Sequence, residues 1–115
     1  MALVLLVEDD ANLLRALETL VSTDGHAVRT AVNGVDALSV ARAERPDVVV
    51  SDCMMPLMDG VELLREMKSM PALQAIPFVM TSAIASAPNA SVYAFLRKPF
   101  PAKELLRVIR RALSS

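Results

Sequence analysis

Short apolar runs alternate along the chain with segments whose apolar residues recur every three or four positions. Leu3 to Val7 is the first run, and Leu13, Leu14, Leu17, Leu20 and Val21 follow at helical spacing until Asp24-Gly25 stops them. A second, partly polar strand is predicted over His26 to Thr30. Asn33-Gly34 then turns the chain into a helix from Val35 to Glu44, with Val35, Leu38 and Ala41 on one face and Pro46 beyond its end. The third strand, Asp47 to Ser51, runs directly into Asp52. A third helix is predicted over Val61 to Met70 with Leu63, Leu64 and Met67 inward, and Phe78 to Thr81 and Val92 to Leu96 read as the last two strands. Pro101 opens a final helix at a position where its missing N–H costs nothing, and Leu105, Leu106, Val108, Ile109 and Leu113 form its apolar side.

Strict alternation of strands and helices, with strands rich in Val and Leu, implies a doubly wound parallel sheet covered by helices on both faces. Ligands in such sheets bind beyond the carboxyl ends of the strands. That edge collects the chain's chemically interesting groups: Glu8 and Asp9 end strand one, Asp52 ends strand three, Thr81 ends strand four and Lys98 follows strand five. The 115 residues suffice for one core, so residues 1–115 are read as one domain. Hydrophobic residues make up 54%, but no run approaches the roughly 18 apolar residues of a membrane helix. A net charge of −1 supplies no field for nucleic acid or an anionic membrane, so neither is an expected partner. The single cysteine, Cys53, and an N-terminus without a secretory pattern point to the cytoplasm.

Three carboxylates brought within a few ångströms repel by roughly 4 kcal/mol per pair at an effective dielectric near 20. A hard divalent cation relieves that repulsion, and Mg²⁺, which keeps several waters, suits one or two carboxylates plus a phosphate oxygen. With a metal between Asp9 and Asp52, a free oxygen of Asp52 can attack a phosphoryl group in line. Lys98 can then neutralise phosphoryl oxygen charge, and the Thr81 hydroxyl can donate to another oxygen. Asp10 reads as a helix N-cap instead of a ligand. Cys53 reads as a buried structural thiol. His26 is the only histidine and has no phosphorylation-site context, so the phosphoryl group must come from another molecule.

Taken together, Glu8-Asp9, the Asp52 turn with Met54-Met55-Pro56 and Asp59-Gly60, Thr81 and Lys98-Pro99 resemble the receiver domain of bacterial two-component response regulators over nearly the whole chain. The resemblance implies a flavodoxin-like (βα)5 fold with strand order 2-1-3-4-5. It implies Asp52 as phosphoacceptor, Mg²⁺ held by Glu8, Asp9, Asp52 and the backbone carbonyl of Met54, Thr81 as the switch hydroxyl, Lys98 as the conserved cation and Phe95 as the rotating aromatic. Lys98-Pro99 resembles the family's cis peptide. A histidine kinase or histidine phosphotransfer protein would be the donor, and the chain would be a phosphotransfer acceptor in a phosphorelay instead of a turnover enzyme. Two other classes remain open: a receiver-like interaction module that is not phosphorylated, and an Asp-nucleophile phosphohydrolase, for which Met54 occupies the place of the usual second Asp. As the last helix closes just before Ser115, the chain is expected to be a stand-alone regulator or a module excised from a longer protein.

Two departures stand out. Only ten residues, Ser82 to Ser91 and including Pro88, separate the predicted fourth and fifth strands, whereas a parallel crossover needs about a dozen or more. The fourth helix is therefore expected to be shortened or missing, the output face atypical, and uncovered apolar surface could favour a homodimer or a dedicated partner. Met54 and Ala83 stand where family members often carry polar side chains near the attacking water, so slow self-dephosphorylation is expected.

Overall fold

The computed structural model describes residues 2–83 and 91–114. Among these, five strands and four helices follow in the order β1 Leu3–Val7, α1 Ala11–Thr23, β2 Ala27–Ala31, α2 Gly34–Ala43, β3 Val48–Asp52, α3 Gly60–Lys68, β4 Phe78–Ser82, β5 Ala94–Arg97 and α4 Ala102–Ser114. All pairings are parallel and the sheet order is β2-β1-β3-β4-β5, which is the flavodoxin-like topology expected. The segment expected to hold a shortened or missing fourth helix falls on residues 84–90, outside the described residues.

Alternation along the strands divides the core in two. Val4, Leu6, Val48 and Val50 pack with Leu14, Leu17 and Val21 of α1 and Leu105, Val108 and Ile109 of α4. Leu5, Val7, Val49, Phe78 and Met80 pack with Ala37 and Ala41 of α2 and Leu63, Leu64 and Met67 of α3. β3 and β4 are buried at every position, so they carry no solvent-facing alternation: both are apolar until their carboxyl ends, where Ser51-Asp52 and Thr81-Ser82 stand buried.

Three helices begin at the carboxyl edge of the sheet behind side-chain caps. Asp10 accepts from Asn12 N–H at 3.0 Å and Leu13 N–H at 3.2 Å, and Asn33 accepts from Asp36 N–H at 2.8 Å. Asp59 accepts from Glu62 N–H at 2.9 Å while Glu62 returns the bond to Asp59 N–H at 3.3 Å. These caps satisfy donors that a helix start leaves without partners and aim the positive ends of the helices at that edge.

The sequence expectations need correction at several points. The second and third strands each start and end one residue later than predicted, and the third helix runs over Gly60–Lys68 instead of Val61 to Met70. The fifth strand begins at Ala94, so the connection from β4 runs from 83 to 93. The inward face of α2 is Gly34, Ala37 and Ala41, with Leu38 partly buried and Val35 52% exposed. Gly34 sets that phase: its N–H donates to the Met58 carbonyl at 2.9 Å, and an added Cβ would stand 2.5 Å from the same oxygen. With residue 34 forced against the loop before α3, residues 37 and 41 follow inward and Val35 turns out.

Candidate acidic site at the carboxyl edge

β1 delivers Glu8 and Asp9 to the edge. Glu8 N–H extends the ladder to Ala31 O at 3.0 Å and buries the side chain, whereas Asp9 is exposed. β3 delivers Asp52, also buried, and the β3–β4 register places Thr81 directly beside it. One carboxylate oxygen from each of Glu8, Asp9 and Asp52 lies within 4.8 Å of the others.

Lys98 reaches this cluster from the end of β5. Its N–H donates to Ser82 O at 2.7 Å, and the Lys98–Pro99 peptide is cis, as the resemblance implies. The ammonium donates to Glu8 Oε1 at 2.7 Å and stands 3.3 Å from Asp52 Oδ2. Burial raises the Glu8 pKa above the usual carboxylate range, the negative charge of Asp52 adds to this, and the bonds from Lys98 and Asp10 N–H only partly offset it. Burial works against the Lys98 charge, but the Glu8 hydrogen bond and the charges of Asp52 and Glu8 outweigh it and raise the ammonium pKa. Three acids share one cation, all the donors are hard oxygens, and Asp9 leaves one side open. That donor set fits a hard divalent cation of the Mg²⁺ type.

The turn after Asp52 closes tightly. Gly60 N–H donates to Cys53 O at 2.8 Å, and an added Cβ on Gly60 would collide with the Asp52 carbonyl oxygen. Met58 N–H bonds to Pro56 O at 2.8 Å around Leu57, which is held at φ 68°, a costly conformation for a non-glycine residue. Met54 lies on this turn and is 62% exposed.

A family model for the response regulator receiver domain matches residues 4–110. The chain belongs to that family. This receiver domain is 32% identical over 115 residues to the probable transcriptional regulator ycf29 of Porphyra purpurea, covering 95% of the chain and 55% of that protein. Over 114 residues it is 34% identical to the response regulator MprA of Mycobacterium avium, covering 96% and 50% respectively. The chain thus spans about half the length of these curated relatives. Among solved structures, the receiver domain of a signal transduction histidine kinase from Syntrophus aciditrophicus superposes with a TM-score of 0.92 at 30% identity, covering 99% of this chain and 91% of that one. The receiver domain of a sensor histidine kinase from Pseudomonas aeruginosa, solved with a magnesium ion coordinated in its active site cleft, gives 0.93 at 28%, covering 99% and 98%.

Against the sequence expectations, the receiver fold brings Glu8, Asp9, Asp52 and Lys98 together and sets Thr81 next to them. Phe95 is more remote: it pairs in register with Met80, one step before the Thr81–Leu96 pair, and is partly buried on the α2–α3 side. Cys53 is partly buried, and burial, then the charges of Asp59 and Asp52, raise its thiol pKa, which disfavours a reactive thiolate. Sequence reasoning missed the structural demands on Gly60 and Ser51. In the sequence these two residues stand out only as a glycine directly after the capping Asp59 and a lone hydroxyl closing a run of three valines, and neither pattern tells what the residue approaches.

Proposed function

We propose that this receiver domain is a phosphorylation-dependent switch of a two-component phosphorelay, working in the cytoplasm as one domain over residues 1–115. It takes its phosphoryl group from a histidine kinase or histidine phosphotransfer protein onto Asp52. The observation that carries this reading is the convergence of the Glu8, Asp9 and Asp52 oxygens within 4.8 Å, with the Lys98 ammonium 3.3 Å from Asp52. A carboxylate oxygen of Asp52 forms the new P–O bond while the donor's P–N bond breaks and its electron pair leaves on the imidazole nitrogen. Glu8, Asp9, Asp52 and the Met54 carbonyl would hold Mg²⁺, which when bound supplies charge neutralisation for the phosphoryl oxygens. Lys98 neutralises the same oxygens from the β5 side.

Thr81, buried beside Asp52, would supply a hydroxyl to the acyl phosphate and shift a pre-existing equilibrium that Phe95 follows. A homodimer belongs to the same reading, because the connection from 83 to 93 is short for a parallel crossover. Light scattering that finds only monomer at high concentration, with and without a phosphoryl analogue, would remove that part.

Intact mass after incubation with Mg²⁺ and a small acyl phosphate tests the core of the proposal. One stable phosphoryl adduct, absent in Asp52→Asn, is expected. Donor turnover without an adduct would indicate a phosphohydrolase, and no reaction with any donor would indicate an interaction module.

A further inference from the structure

Ser51 closes an otherwise apolar run of valines, and none of its surface reaches solvent. Strand alternation puts it on the face of Val49, toward the α2–α3 layer, and its register neighbours are Val7 on β1 and Met80 on β4. A hydroxyl in such surroundings must find an acceptor. It donates to the main-chain oxygen of Asp52 at 2.9 Å. The other end of the same peptide unit is also held, since Cys53 N–H donates to Thr81 O at 2.8 Å. Gly60 closes the space behind the Asp52 oxygen.

The Asp52–Cys53 peptide is thus clamped between a side chain of its own strand, the backbone of Thr81 and the start of α3. Its orientation fixes ψ of Asp52, and so the course of the loop that leads to Met54. We infer that Ser51 is a positioning residue for the phosphoryl acceptor: its hydroxyl locks the Asp52–Cys53 peptide plane and thereby aims both the Asp52 carboxylate and the Met54 carbonyl. The inference rests on the assignment of Asp52 as acceptor. A hydroxyl that merely satisfies itself on the nearest oxygen would affect folding alone, whereas a positioning hydroxyl also sets the rate of transfer at temperatures where every variant is folded.

The test is the initial rate of adduct formation by intact mass, with a small acyl phosphate and saturating Mg²⁺, well below each variant's melting temperature. Ser51→Thr and Ser51→Val have nearly the same shape and differ in the hydroxyl, so they form the decisive pair. Ser51→Val and Ser51→Ala are expected to slow transfer roughly tenfold, as a small misplacement of a reacting group does, while Ser51→Thr stays within about threefold of wild type. Equal rates for folded Thr and Val variants, fast or slow, overturn the role. So does a folded Ser51→Ala protein that reacts at the wild-type rate. A wild-type chain that gains no phosphoryl group sinks the acceptor assignment and this inference with it, whereas a reactive wild type with matching Thr and Val variants sinks the Ser51 role alone.

Discussion

The two edges of the sheet each bring acidic and basic side chains from distant elements together, and they balance them in opposite ways. At the carboxyl edge Glu8, Asp9 and Asp52 share the single ammonium of Lys98. At the amino edge Asp24, the C-cap of α1, is bound by two guanidinium nitrogens of Arg110 from α4, with His26 Nε2 3.4 Å away. The first cluster has an excess of carboxylates in a largely buried place, which costs stability and leaves electrostatic work for a further cation to complete. The second is neutralised within the chain and ties two helices together. On the proposed function, unbalanced charge marks the edge that does the chemistry and balanced charge the edge that holds the fold.

Removing the cation from each edge should break this symmetry most sharply. Lys98→Met is expected to slow phosphoryl transfer from a small donor by on the order of 100-fold, the usual loss when one preorganised charge at a reacting group is deleted. Arg110→Gln should leave that rate unchanged and lower the melting temperature. Similar rate losses in both variants would mean that the edges are not functionally distinct.

The glycines offer a second contrast. Gly60→Ala puts a Cβ into the Asp52 carbonyl and 3.0 Å from Cys53 Cα, an overpacking expected to cost about 1–3 kcal/mol in denaturant titrations and to slow phosphorylation as well. Gly25, at φ 95° with nothing within 4 Å of an added Cβ, should cost only the strain of a left-handed alanine, roughly 1–2 kcal/mol, with phosphorylation untouched. If Gly25→Ala slows phosphorylation as much as Gly60→Ala, backbone fit at the acceptor is not what matters.

These two glycines also show what a sequence can and cannot disclose. Asp24-Gly25 announces a helix stop by composition, because the requirement is local: one residue with positive φ. The requirement at Gly60 is a close approach between segments, and Gly34 is similar, its phase in α2 being dictated by Met58 across the layer. Neither distance is written in a local pattern, so the sequence reading placed Val35 inward and took Gly60 for part of a turn. The acidic cluster was legible for a different reason. Parallel topology carries every strand's carboxyl end to one edge, so Glu8, Asp9, Asp52, Thr81 and Lys98 could be gathered from their strand-end positions alone. Ser51 was not legible, because its acceptor is a backbone oxygen whose orientation depends on β4 and α3 together.

The lifetime of the phosphoryl group gives a smaller but still kinetic effect. The exposed side chains of Met54 and Ala83 offer no hydrogen bond to orient an attacking water. Replacing both with Asn or Gln is expected to speed loss of phosphate severalfold, followed by intact mass after donor removal. An unchanged half-life would mean that access or backbone geometry, not side-chain polarity, limits hydrolysis.

The smallest expected effect concerns the amino edge and its pH dependence. The Arg110 hydrogen bond, together with the charges of Arg110 and His26, holds the Asp24 carboxyl below the ordinary range despite some desolvation. A depressed folded-state pKa means that the unfolded chain binds more protons on acidification. The stabilisation is therefore complete above the ordinary carboxylate pKa of about 3.9 and disappears as pH falls through the lower folded value. In a His26→Gln background, which removes the neighbouring imidazole, the melting-temperature difference between the chain that keeps Arg110 and its Arg110→Gln variant should be constant above about pH 5 and close below about pH 4. Because Arg110 is well exposed, the gap itself should be small and should shrink in high salt. A gap that persists unchanged at pH 2 would mean that Arg110 stabilises α4 by packing its aliphatic stem and not by neutralising Asp24, and the contrast between a balanced and an unbalanced edge would then rest on the carboxyl side alone.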